Sequence, residues 1–72
     1  MCEIQKRFGE NLRMVRKARG FSQEQLAYAS GIDRSYVGKM ERGQVNVTIE
    51  KVYVLAKTLG CSPKKLMPEV TA

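Results

Sequence analysis

The stretch FSQEQLAYASGIDRSYVGKMERG, residues 21–43, constrains this chain more than any other part of it. Ser22 is a good N-cap, and Gln25 three residues later completes a capping box, in which each side chain satisfies the other residue's backbone N–H. Leu26 and Ala27 supply the apolar side of a first short helix, from about Gln23 to Ser30. Gly31 falls where a helix ends in the left-handed conformation, which glycine adopts at little cost because it has no Cβ. Asp33 is placed to cap a second helix, from about Arg34 to Glu41, whose apolar side is Val37 and Met40. Two helices of this size around one glycine turn make a helix-turn-helix.

The second helix of the pair has two unlike faces. At about 100° per residue, Arg34, Ser35, Gly38, Lys39 and Arg42 fall within an arc of about 140°, and Tyr36, Val37, Met40 and Glu41 fill the other side. The arc offers guanidiniums, an ammonium, a hydroxyl and a glycine without bulk, and it carries no acid. A merely solvated helix usually mixes charge signs, whereas a face of one sign suits a polyanion. A helix-turn-helix commonly sets its second helix in the major groove of DNA. The chain as a whole has a net charge of +6 and a pI of about 9.7. A basic face on such a motif in a basic chain favours duplex DNA over a solvated surface.

Around this motif the hydrophobic spacing adds three further helices and no strand period. Ile4, Phe8, Leu12 and Val15 recur at helical spacing, so residues 4–19 read as a first helix, ended by Gly20. Residues 43–47 are a loop. Thr48 caps a fourth helix whose apolar stripe is Ile49, Val52, Leu55, Ala56 and Leu59, and Gly60 stops it. Ser62 followed by Pro63 is an N-cap with proline at the first helical position, opening a short fifth helix to Met67. The expected fold is all-α, a compact five-helix bundle in one domain, residues 1–72.

Composition removes several function classes. The chain has 72 residues, enough for one domain with a small core. It has no histidine, and its two cysteines, Cys2 and Cys61, lack metal-ligand spacing, so no metal and no cofactor is expected. No nucleophile–base arrangement suggests an enzyme. No apolar run approaches the ~18 residues that span a bilayer, and no signal-peptide core follows the N-terminus, so a cytoplasmic protein is expected. The basic residues are not laid along one long amphipathic helix, which argues against a membrane-surface peptide.

The residues S-Q-E-Q-L-A…S-G-I-D-R-S-Y-V…M-E-R-G resemble the Cro/repressor-type (Xre-like) helix-turn-helix of phage repressors and many bacterial regulators, over about residues 8–67. Within that family, Asp33–Val37, Glu41–Arg42 and Asn46–Glu50 look most like the controller proteins of restriction–modification systems. The resemblance implies a lambda-repressor-like DNA-binding domain and a transcription regulator, with stand-alone or phage-type repressors and antitoxin-like interaction modules as alternatives. Controller proteins often carry Ser-Gly where this chain has Gly38-Lys39, and Arg where it has Val45. Both departures fall on or near the expected DNA face, so no operator sequence carries over.

The site expectations follow from placement. Arg34 and Ser35 begin the second helix of the motif, the part that enters a groove deepest, and arginine can fork onto guanine O6 and N7 for about 1–3 kcal/mol of discrimination. Lys39 lies one turn on, within reach of a base or a phosphate. Tyr36 sits at the margin between core and groove and is counted with the base readers. Gln23 lies at a helix amino end, where free N–H groups attract phosphate, and the resemblance implies that it contacts the backbone. Arg42 and, in the loop, Asn46 are expected to grip the backbone too. Glu41 lies on the inner margin, where an unpaired carboxylate is expensive; the resemblance implies a structural salt bridge from Arg16. Leu66, Met67 and Val70 are more apolar than a small surface needs, with Tyr53 nearby, and are the expected seam of a homodimer. The alternative is that Leu66 and Met67 close the monomer core. RNA polymerase is a further expected partner if the regulator activates.

Overall fold

The capping signals at Ser22, Asp33, Thr48 and Ser62 each start a helix. The computed structural model describes residues 3–68, which form α1 (Glu3–Ala18), α2 (Gln23–Ser30), α3 (Arg34–Glu41), α4 (Ile49–Leu59) and α5 (Pro63–Leu66). The Ser22 hydroxyl accepts from the Gln25 N–H at 3.0 Å while the Gln25 side chain accepts from the Ser22 N–H at 2.8 Å, so the capping box is complete. Gly31 ends α2 at φ 76°, a left-handed turn that aims the chain into α3. Thr48 and Ser62 accept from the N–H of Lys51 and Lys64. The fold is all-α, with no strand among the described residues. Its helix ends differ from the sequence expectation by one residue at both ends of α1 and at the end of α5, where Met67 is the cap.

The core lies between all five helices. Leu12, Leu26, Val37, Met40, Leu55 and Leu66 are wholly buried, with Phe8, Ala27, Val52, Ala56 and Leu59 nearly so. α1 packs on α3 and α5, α2 on α3 and α4, and α4 on α5, so the two helices of the motif are fixed from behind by α1 and α4. Cys61 is half-buried against this core as a free thiol.

The structure corrects two sequence expectations. Leu66 cannot form a seam with another molecule, because it is wholly buried inside its own bundle. The Asn11 side chain also ties α5 down, donating to the carbonyls of Leu66 and Met67 at 3.3 Å each. Met67 is 48% exposed, and Val70 lies outside the described residues. The other correction concerns Ile4 and Ile49, which share the apolar spacing of their helices yet are 53% and 74% exposed. Both occupy the first turn of a helix, where the Cα–Cβ bond leans toward the amino end and carries the side chain past the core.

One close approach decides how α1 meets the motif. A Cβ on Gly9 would lie 2.4 Å from the Met40 carbonyl oxygen and 2.5 Å from that of Glu41. Only glycine lets the α1 backbone abut the last turn of α3 at this distance.

Candidate nucleic-acid interface

α3 presents its polar arc outward because Val37 and Met40 pin the other side into the core. Two open hollows flank it. One is lined by Gln23, Asp33, Arg34, Ser35, Gly38, Lys39 and Arg42. The other is lined by Gly31, Ile32, Asp33, Ser35, Tyr36, Lys39 and Lys51. Asp33, Ser35 and Lys39 border both hollows and therefore form the crest between them. Gln23, Arg34, Gly38 and Arg42 belong to one flank, Tyr36 and Lys51 to the other.

The crest and first flank gather five of the residues that the sequence assigned to DNA, Gln23, Arg34, Ser35, Lys39 and Arg42, whereas Tyr36 lies on the other flank and Asn46 lines neither hollow. Arg34, Ser35, Lys39 and Arg42 are all exposed. None of Arg34, Lys39, Arg42 and Lys51 makes an ion pair with a carboxylate among the described residues. The Arg42 Nε donates to Gln44 Oε1 at 3.2 Å, and its guanidinium lies over Gly38, 3.2 Å from where a Cβ would stand. The missing side chain at Gly38 therefore makes room for Arg42 as well as thinning the helix. The arc is not wholly free of acid, since Asp33 caps α3 at the crest and accepts from the Ser35 N–H at 3.1 Å.

Behind the first flank lies a buried ion pair. Arg16 Nε and Nη2 donate to the two oxygens of Glu41 at 2.5 and 3.0 Å, and the side chains are only 8% and 4% exposed. Arg16 Nη1 donates to the Phe21 carbonyl at 2.9 Å, tying the α1–α2 turn into the same group. Gln23 is a third member that sequence reasoning missed: its Nε2 donates to Glu41 Oε1 at 2.9 Å. A carboxylate only accepts, so this bond settles which way the Gln23 amide faces. One N–H of its NH2 group is used inward and one remains.

Tyr36 lines the second flank and braces it. It is half-buried against the core, and its hydroxyl donates to the Asn46 carbonyl at 2.9 Å. That bond occupies the hydroxyl proton expected to read a base. The Tyr36 ring carries the Lys51 ammonium, 5.4 Å from its centroid. The Asn46 side chain is hydrogen-bonded by Gln5 of α1, which anchors the loop between α3 and α4. Lys51 is the cation that sequence reasoning passed over. It lies in the first turn of α4, outside the motif, and only the fold brings it beside α3.

Among the described residues no group of histidine, cysteine, aspartate and glutamate could hold a metal ion, and no helix is long and apolar enough to cross a membrane.

Comparison with known proteins bears on the family and the fold. A helix-turn-helix family model matches residues 12–66. Control protein C.SmaI of Serratia marcescens is 43% identical over 65 residues, which is 90% of this chain and 77% of that one. Control protein C.BamHI of Bacillus amyloliquefaciens is 35% identical over 65 residues, 89% of this chain and 80% of that one. The restriction-modification controller protein C.AhdI from Aeromonas hydrophila superposes with a TM-score of 0.85 at 49% identity, covering 88% of this chain and 96% of that one. The chain belongs to the helix-turn-helix family, is a DNA-binding transcription regulator and not an enzyme, and is similar to the control proteins of restriction–modification systems.

Proposed function

We propose that this protein binds a pseudo-palindromic operator as a homodimer and regulates restriction–modification genes, with α3 in the major groove. The observation that carries the assignment of the DNA face is the crest of α3 between two hollows, each bordered by cations that form no ion pair with a carboxylate among the described residues. The major groove is ≈12 Å wide, so a helix lying in it has a phosphate backbone on either side. Arg34 and Lys39 reach base edges from the crest and its first flank. Gln23, through its remaining amide N–H, and Arg42 grip the phosphates on one side. Lys51 grips those on the other, and Asn46 holds the loop beside it. Where the operator adjoins a promoter, RNA polymerase is the second partner.

Selection from random duplex DNA, followed by a salt titration on the selected site, tests this. Log K should fall with log salt at about −0.9 per phosphate contacted. Arg34→Ala should change the selected sequence. Lys51→Ala should leave the sequence alone, weaken binding to all duplexes alike and lower the salt slope by about one. A flat salt response for the unaltered protein would sink the proposal.

A further inference from the structure

Among the donors of the crest lies one built acceptor. Asp33 Oδ2 accepts from the Ser35 hydroxyl at 2.5 Å as well as from the Ser35 N–H. A carboxylate has no proton to give, so the single hydroxyl proton of Ser35 lies on this bond. A charge-assisted O–H···O⁻ bond of this length is among the strong ones, which holds the hydroxyl in one orientation. Ser35 Oγ therefore turns lone pairs outward. Asp33 stays ionised, because the Ser35 hydroxyl first and the Ser35 N–H second hold its pKa below the usual 3.8. Both residues are exposed and border both hollows, at the end of α3 that enters a groove first.

A phosphate group cannot use this place, since its oxygens also accept and it would meet the charge of Asp33. In the major groove the donors on base edges are the exocyclic amino groups, N6 of adenine and N4 of cytosine; guanine and thymine present only acceptors and a methyl group there. Resting on the DNA-binding assignment above, we infer that Ser35, oriented by Asp33, reads the amino group of an adenine or cytosine as a hydrogen-bond acceptor and discriminates against guanine and thymine at that position. The crest thus pairs an acceptor with the donors Arg34 and Lys39, so adjacent bases are read with opposite polarity.

The test starts from the half-site that the unaltered protein selects from random duplex DNA. One amino group at a time is then removed from it, with purine in place of adenine or 2-pyrimidinone in place of cytosine; whichever analogue is felt identifies the base. At one position per half-site the unaltered protein should lose roughly tenfold in affinity, and Ser35→Ala should show no such loss at that position. Ser35→Thr keeps the hydroxyl and should behave as the unaltered protein does. Asp33→Asn preserves a good N-cap but replaces the charge-assisted bond by a weaker one to a neutral amide oxygen, which loosens the orientation of the hydroxyl. That variant should relax the choice at the same position and bind non-target duplex more tightly. Identical selected sites for the unaltered protein and Ser35→Ala, or indifference of the unaltered protein to every amino deletion, would overturn the acceptor assignment alone. Failure to enrich any site at all would overturn the DNA-binding assignment and this inference with it.

Discussion

Three N–H groups converge on the Glu41 carboxylate, two from Arg16 and one from Gln23, and this is why a charged side chain can sit 4% exposed between helices. The sequence made part of this legible. A glutamate on the inner margin of α3 needed a partner, and the family resemblance pointed to Arg16. Gln23 was not legible as a partner, because periodicity places residues on faces and does not say which side chains reach across from one helix to the next. The consequence is a link between fold and recognition, since the side chain expected to touch phosphate hangs from the ion pair that holds α1 to α3. Arg16→Ala leaves a buried carboxylate with one amide donor. Breaking a buried pair in this way costs about 3–5 kcal/mol, of the order of the whole stability of a domain this small. We expect the variant to melt far below the unaltered protein or to fail to fold, read by thermal denaturation followed by circular dichroism. An unchanged melting temperature would mean that the bridge contributes nothing in solution.

At the scale of elements, the cap residues foretold every helix start from α2 to α5, because capping is chemistry within three residues of sequence. What capping and periodicity could not foretell is how helices meet. Gly9 shows the difference. Inside a helix, glycine costs roughly 1 kcal/mol relative to alanine, so Gly9→Ala should stabilise α1 if local propensity were all that mattered. The structure predicts the opposite sign. A methyl group there would lie 2.4 Å from a backbone oxygen of α3, and backbone cannot swing aside as a side chain can. α1 must back away from α3, with a net loss of at least about 1–3 kcal/mol. A denaturant titration of Gly9→Ala should therefore show a lower midpoint, and a higher one would refute the close approach. Ile4 and Ile49 mark the same limit, as their spacing matched the core stripe while their place in the first turn of a helix took them out of it.

For the molecule as a whole, four of the exposed large apolar side chains are Ile4, Ile49, Tyr53 and Met67. Ile4, Ile49 and Met67 border an apolar groove of about 220 Å³, and Ile49 and Tyr53 stand one turn apart on α4. None of the four lines either hollow beside α3, so a second copy seated on them leaves both recognition faces free. One eight-residue recognition helix meets only a few base pairs, too few to define a site in a genome. Two of them about a two-fold axis double the contacts and require half-sites about 10 base pairs apart, centre to centre. For the homodimer proposed above, we place the seam on the surface of α4 and the start of α1 rather than on the buried Leu66, with Met67 retained. Ile49→Glu tests it cleanly, because a side chain 74% exposed in the monomer can be charged without disturbing the core. Sedimentation should show the unaltered protein as a dimer and this variant as a monomer. Its affinity for a full operator should fall roughly hundredfold or more, since the second half-site no longer binds as part of the same molecule. Its affinity for an isolated half-site should stay close to that of the unaltered chain. Met14→Glu, at a residue 66% exposed on α1 and outside the apolar groove, is the control and should remain dimeric. If Ile49→Glu sediments as a dimer and protects both half-sites, the two copies meet on some other face.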